Sequence, residues 1–299
     1  MTLVSVVIPA YNASPYVRGA VDSVLRQSHQ NFEIIIVDDG STDDTREVVE
    51  PYLADSRIRY YYQQNRGLPG ARNSGAQQSR GEYLAFLDAD DFLACNALET
   101  MLRAFRLSNT AWLNVGVLKI EGVNRTFRHP FTPTRDLVQA ILRDDFVTRS
   151  PFYPKTEFVE IGMYDEAIRV REDWDLNIRM ILAGKRFAIV DEPLYEYTRT
   201  EGSITTSNRR QLLLYTERLL CKHHKRLADA GNKEIAKIYA SIMWGLARQY
   251  FQEIHDFRRG MHCAWESLRY DANLFRVVHP IVHRMRNSSS LQHQDRRAP

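Results

Sequence analysis

Short apolar runs alternate with stretches of helical spacing along the first third of the chain. Residues 4–8 read as a buried strand, β-branched and apolar at four positions and interrupted by Ser5. Ser14 then offers an N-cap with Pro15 at the first helical position. Tyr16, Val17, Ala20, Val21, Val24 and Leu25 recur at helical spacing. Residues 32–37 predict a second strand ending at Asp38-Asp39-Gly40, and the capping chemistry of Ser41 to Asp44 predicts a helix over 43–53. A third strand is expected at 58–62, a glycine-containing loop at 65–70, a helix at about 71–78 and a strand at 82–87 that delivers Asp88 to Asp91. Stacked strand–helix units of this kind predict an α/β fold with a largely parallel sheet.

Beyond that point the pattern loosens. A strand is expected at 112–120, a short helix at 136–142, and a loop with extended pieces at 146–158, where Pro151 and Pro154 fall. Residues 172–183 form an amphipathic helical pattern, with Trp174, Ile178, Ile181 and Leu182 on or near one face, and 187–190 return to a strand. From about 209 the character changes. Residues 212–227, 234–251 and 257–270 have helical periodicity with no strand signal between them. The reading is therefore an α/β domain over 1–205, a helical appendage over 206–286 and a polar, disordered tail over 287–299. The aromatic residues Tyr215, Tyr239, Trp244, Tyr250, Phe251 and Trp265 read as core of the appendage.

Composition narrows the class only slightly. The chain has 299 residues, 44% hydrophobic and 26% charged, which is ordinary for a soluble globular protein. A net charge of +3 is too small to argue for nucleic acid as a partner. Cys95, Cys221 and Cys263 are widely spaced, and His129, His223, His224, His262, His279 and His283 form no ligand set, so a disulfide scaffold or structural zinc is not expected. A strand pattern begins almost at Met1, leaving no room for a signal peptide. No apolar run approaches the ~18–20 residues needed to span a bilayer. The expected location is cytoplasmic, with any membrane contact peripheral, on the inner face, through the basic residues His283, Arg284, Arg286, Arg296 and Arg297.

The candidate chemistry is acidic. Asp88-Ala89-Asp90-Asp91 follows the run Tyr83 to Leu87 directly. Carboxylates gathered at a strand end repel one another and lose hydration, and a divalent cation removes that cost. Mg²⁺ or Mn²⁺ suits such oxygen donors and neutralises charge on a diphosphate leaving group. An isolated motif of this kind more often caps a helix, but here other acidic turns accompany it in order. Asp38 and Gly40 have a local turn explanation, whereas Asp39 suits a base edge and Tyr11 could pack on the same ring. Asn12 fits either a cap or that pocket. Glu172 and Asp173 open a helix, where acids are common, yet they lie downstream of the candidate metal site, where a base is needed within hydrogen-bond reach.

Taken together, SVVIPAYN at 5–12, VDDGSTDDT at 37–45, GLPGARN at 67–73, FLDADD at 86–91 and REDWDL at 171–176 resemble the family 2 glycosyltransferases over roughly 3–205. The resemblance implies a GT-A fold, a Rossmann-like mostly parallel sheet flanked by helices. It implies a nucleotide-binding half at 1–110 and an acceptor half at 111–205. Pro9, Tyr11, Asn12, Asp39, Arg72 and Asp88 would hold the nucleotide, and Asp88 and Asp90 the Mg²⁺ or Mn²⁺. Asp173 would be the general base of an inverting transfer, with Glu172 in support. A nucleotide-sugar donor, by family habit UDP, and a saccharide or lipid-linked saccharide acceptor are the implied partners. Many members carry a histidine after the acceptor region. Here Thr200 stands in its place, and Arg199 is the weak substitute toward the diphosphate. The absence of a QxxRW motif favours transfer of single sugars in surface polysaccharide or glycoconjugate synthesis. Two other classes compete: a nucleotidyltransferase, which would want a glycine-rich basic loop where PAYNAS stands, and a non-catalytic binder of nucleotide sugars, against which the intact acidic motifs argue.

Overall fold

The computed structural model describes residues 2–134, 136–148, 151–198 and 209–271. The chain divides after Asn208 into two units. In the first, β1 (Val4–Ala10) is buried at every position because it lies in the middle of a sheet with order β3-β2-β1-β4-β8. It pairs in parallel with β2 (Phe32–Asp38) and β4 (Tyr83–Phe86), and β2 pairs in parallel with β3 (Ile58–Tyr62). The edge strand β8 (Phe152–Pro154) is antiparallel to β4. A strand buried on both faces carries a continuous apolar run rather than an alternation, which is what Val4, Val6, Val7 and Ile8 supply. Burial of each such side chain is worth about 1.5–3 kcal/mol.

The helices differ from their sequence expectation at their ends, each time for a local reason. The first, α1 (Val17–Leu25), begins later than Ser14 and Pro15 suggested. The Ala13 carbonyl accepts from the amides of Tyr16 and Val17, forming a turn, and the Ser14 amide donates to Asp43 instead of Ser14 capping. The helix expected at 43–53 splits into α2 (Thr45–Val49) and a 3₁₀ turn over Glu50–Ala54, where Pro51 lacks the donor that an α-helix needs. The next helix, α3 (Gly67–Gln78), starts inside the expected loop. Gly67 takes φ +78°. At Gly75 a Cβ would lie 2.2 Å from Val7, so only glycine lets α3 lie this close to β1.

The remainder of the unit is built on a second sheet, of order β5-β9-β6-β7. Its strands are β5 (Phe92–Leu93), β6 (Trp112–Glu121), β7 (Asn124–Arg128) and β9 (Phe187–Thr198). The last runs well past the expected 187–190 and pairs in parallel with β6, with register shifts around Gly116. The expected loop at 146–158 contains β8 and the helix α6 (Lys155–Glu160), which starts directly after Pro154. Two further helices match expectation closely: α5 (Leu137–Arg143), capped by Asp136, and α7 (Glu172–Leu182). The helix α4 (Ala97–Ser108) was not anticipated.

The second unit is helical over its described residues. Arg209–Leu220 passes through a π turn at Cys221–Lys225 into Arg226–Asp229, and Lys233–Gln249 passes into a π turn at Tyr250–Ile254 before Phe257–Tyr270. Tyr239, Trp244, Tyr250 and Phe251 pack with Leu213, Leu220, Met243 and Cys263 in its core. Trp265 does not: it is 59% exposed, a correction to its reading as core.

Candidate active site

Parallel pairing puts the ends of β1, β2 and β4 on one edge of the sheet, where Asn12, Asp38–Asp39 and Asp88–Asp91 emerge. Much of the chemistry at β1 and β2 is internal. Asn12 adopts φ +48°, accepts from the Thr42 amide at 2.8 Å, and donates its own amide to Ser41 Oγ at 3.0 Å. Asp38 accepts from the Ser41 amide at 2.8 Å and from Tyr60 Oη at 2.5 Å. Asn12 thus ties the end of β1 to the turn after β2, and Asp38 braces that turn against β3; Asn12 caps no helix, since Tyr16 precedes α1. Pro9 is buried in β1. Tyr11 stands 54% exposed beside the turn.

Asp39 has a role that sequence reasoning missed. It is 3% exposed and spans to the α3 start: Oδ1 accepts from Gln63 Nε2 at 2.6 Å and from the Arg66 amide at 2.9 Å, and Oδ2 from the Gly67 amide at 2.7 Å. This is why α3 begins early. The cap comes from the turn after β2, 28 residues back in sequence, rather than from the residue before the helix, so no local signal exists for it. An ionised carboxylate offers about four acceptor positions, so room is left for one further donor.

The centre of the site is Arg72, on α3 and only 2% exposed. Its Nη2 donates to Asp88 at 2.7 Å, and its Nη1 to Glu172 at 2.8 Å and to Asp173 at 3.2 Å. One guanidinium therefore joins the DADD turn to the start of α7, 100 residues away in sequence. Burial works against its charge, but Asp88, Asp173 and Glu172 outweigh that and raise its pKa. Its Nε is buried with no hydrogen-bond partner among the described residues. The Tyr164 ring lies 5.2 Å from the guanidinium carbon.

Glu172 is buried, and burial first and Asp173 second push its carboxyl up to about 7, with Arg72 pulling the other way. The Asp173 side chain is 40% exposed and lines a cavity of ≈160 Å³ with Arg72, Asp145, Thr148, Tyr164 and Asn177. Arg171 enables this placement: it takes φ +68° before the helix and stacks over Trp174. The facing loop is held by reciprocal bonds between Asn73 and the Tyr164 backbone, at 2.9 and 3.0 Å, and by a bidentate pair between Arg66 and Glu166. Asp145 and Glu166 belong to no motif, and only the contacts reveal them.

Asp90 is half-buried at the end of β4. Asp91 is fully buried and accepts from the Thr198 amide at 2.9 Å, and Tyr195 Oη accepts from the Asp88 amide at 3.2 Å, so β9 fixes the turn. No three His, Cys, Asp or Glu side chains gather to hold a metal ion among the described residues. Asp88 and Asp90 are hard oxygen donors at a strand end, which fits Mg²⁺ or Mn²⁺ when substrate phosphate completes the coordination sphere. Arg199, the tail arginines and residues 283–286 lie outside the described residues.

The fold is that of the GT-A glycosyltransferases, with a C-terminal helical addition. The glycosyl transferase family 2 model matches residues 5–163, and the chain belongs to that family. An uncharacterized glycosyltransferase of Bacillus subtilis, EpsJ, is 32% identical over 68% of this chain and 63% of its own length. The glycosyltransferase GlyG of Streptococcus pneumoniae is 27% identical over 68% of this chain and 72% of its own. Relatives from Rickettsia match over a fifth or less of their length, so the chain spans less than two thirds of the first relatives it resembles. The crystal structure of S. aureus TarS 1-349 in complex with UDP-GlcNAc superimposes with a TM-score of 0.69 at 19% identity, over 90% of this chain and 81% of that one.

No helix among the described residues is long and apolar enough to cross a membrane.

Proposed function

We propose that the chain is a metal-dependent, inverting glycosyltransferase that moves a single sugar from a UDP-sugar to an acceptor hydroxyl, in surface polysaccharide or glycoconjugate synthesis. The observation that carries this is Arg72, which ties the DADD carboxylate Asp88 to the Glu172–Asp173 pair. A transferase of this class needs its leaving-group site and its base on opposite sides of one carbon, and Arg72 couples those two sides. Asp173 accepts the acceptor proton, the hydroxyl oxygen bonds to the anomeric carbon, and the bond to the diphosphate breaks with its electron pair going to the nucleotide. Glu172 and Arg72 hold Asp173 in place. Asp88 and Asp90 would hold Mg²⁺ or Mn²⁺, which supplies charge neutralisation to the departing diphosphate. Tyr11, exposed beside the turn, and Asp39 would contact the base.

The acceptor is a saccharide or a lipid-linked saccharide. For a membrane-borne acceptor, the second unit supplies a surface: Phe257, Met261 and Trp265 are exposed on one helix. Arg258, His262 and Arg269 lie alongside on the same exposed face, an arrangement suited to an anionic interface. Sedimentation with anionic and neutral liposomes at low salt tests this, and equal recovery with both would count against it.

The reaction is tested with UDP-GlcNAc, the ligand of the structural neighbour, and other UDP-, GDP- and dTDP-sugars in the presence of Mn²⁺. Donor-dependent release of nucleoside diphosphate is expected. Pyrophosphate release would indicate a nucleotidyltransferase, and release of neither a non-catalytic binder.

A further inference from the structure

Asp145 stands in the same cavity as Arg72 and Asp173. At ≈160 Å³ the cavity falls well below the ~300–1,000 Å³ of pockets that take drug-sized ligands. It suits one ring rather than a nucleotide. Phe86, Val147, Pro151 and Tyr164 give it apolar walls, and Arg72, Asp145, Thr148, Asp173 and Asn177 give it polar ones. That mixture matches a sugar, which has an apolar ring face and a rim of hydroxyls.

The placement of Asp145 is specific. It lies just after α5, where Oδ1 accepts from the Val147 amide at 3.2 Å and from Asn177 Nδ2 at 3.2 Å, and Oδ2 from the same Nδ2 at 3.3 Å. Asn177 is one helical turn beyond Asp173, so the two share a face of α7. These contacts leave acceptor capacity on the carboxylate. Its position is costly, since burial first, with Asp173 adding, pushes its carboxyl up to about 7. An apolar side chain would line the wall at less cost. Hydroxyl donors of a bound ring would give the charge a use.

We infer that Asp145, oriented by Asn177, determines specificity by accepting hydrogen bonds from hydroxyls of the sugar ring being transferred. This rests on the glycosyltransferase reading. The anomeric carbon must stand between the diphosphate, on the Asp88 side of Arg72, and the base Asp173. The cavity is bounded by Arg72 and Asp173, so the ring attached at that carbon is its natural occupant. An acceptor sugar has the same hydroxyl chemistry and is the competing source.

The test is calorimetric titration of UDP, UDP-GlcNAc, UDP-glucose and UDP-galactose, with Mn²⁺, into the wild type and into the Asp145→Asn and Asn177→Ala variants. The wild type should bind at least one UDP-sugar more tightly than UDP. Asp145→Asn should weaken that UDP-sugar by about 10–100-fold, the scale of a hydrogen bond to a charged group. It should leave UDP within about twofold, which also reports an intact fold. Asn177→Ala should act in the same direction and less. An unchanged preference for UDP-sugar over UDP in both variants overturns the inference. So does a defect confined to the acceptor KM. A wild type that binds none of the four overturns the UDP-sugar reading itself, and that result is read before any variant is made.

Discussion

Carboxylates are buried in both units, on opposite terms. In the helical unit Glu217 accepts from Tyr250 Oη at 3.0 Å and pairs with Arg259 at 3.0 Å, and Glu266 accepts from Tyr239 Oη at 3.2 Å and pairs with Lys225 at 3.0 Å. Each acid there has at least one cation and one phenol that the other acid does not share. In the crevice, among the described residues, Arg72 bridges Asp88, Glu172 and Asp173, and Asp145 lines the same cavity. Buried charge is tolerated when it is paired and hydrogen-bonded. The first arrangement gives each acid a separate partner, whereas in the second, among the described residues, one guanidinium is shared by three acids. Strongly shifted acids gathered in a cleft mark functional sites, and Glu172 and Asp145 are both pushed up to about 7 here.

The harshest way to break this contrast is Arg72→Met. It removes the guanidinium that bridges Asp88, Glu172 and Asp173, and removing one partner of a buried ion pair costs about 3–5 kcal/mol. Urea unfolding should show that loss, and turnover should vanish with it. Next is Asp173→Asn, which keeps shape and removes basicity. kcat should fall by ~10²–10⁴-fold with donor affinity nearly unchanged. Slow donor hydrolysis serves as the assay until the acceptor is known. A wild-type rate would return Asp173 to a helix-start role.

The pH dependence sharpens the comparison. Glu172 and Asp145 have folded pKa values raised above their ordinary 4.5 and 3.8. The folded state therefore holds more protons than the unfolded chain between about pH 4 and about pH 7. Their contribution to stability is present below their ordinary pKa values and falls as pH rises through about 7, by at most ~one proton per group. Stability of the Asp145→Asn variant should decline less over that window. Identical slopes in variant and wild type would show that the carboxyl is not held against its charge.

Much of this was legible in the sequence. The strand at 58–62 and the helix from Glu172 were read where they stand, because each carries its own periodicity and start signal. What stayed hidden depends on distant partners. The start of α3 is set by Asp39 from the turn after β2, and β9 continues past Val190 where β6 and β5 lie beside it. The extended pieces expected at 146–158 include β8, but Pro151 and Pro154 mask the helix α6 that follows. The motifs delivered Arg72, Asp88, Glu172 and Asp173 one by one, but not the fact that the first bridges the other three. Asp145 follows an unremarkable helix and becomes visible only through the cavity.

A milder effect is expected at Asp39. Asp39→Ala removes three contacts at the α3 start, and loss of a helix-start acceptor costs about 0.5–2 kcal/mol. Donor affinity should weaken too, since α3 carries Arg72. Stability lost with affinity intact would make Asp39 purely a cap, and the reverse would make it purely a base contact.

The smallest effect belongs to the helical unit, and it is the control for the whole contrast. Arg259 is 42% exposed at its side chain and pairs with Glu217. Solvent screens such a pair, and pairs of that kind contribute about 0–1 kcal/mol. Arg259→Met should therefore cost no more than that, because Glu217 keeps the Tyr250 hydroxyl, and donor hydrolysis should be unchanged. The two arginine variants remove the same charge from the same fold, so unfolding curves measured side by side isolate the burial and sharing of the cation. If Arg259→Met proved as damaging as Arg72→Met, the special standing of the crevice would be lost. Its strained charge would then be a feature of how this chain buries acids in general, and not a mark of the site.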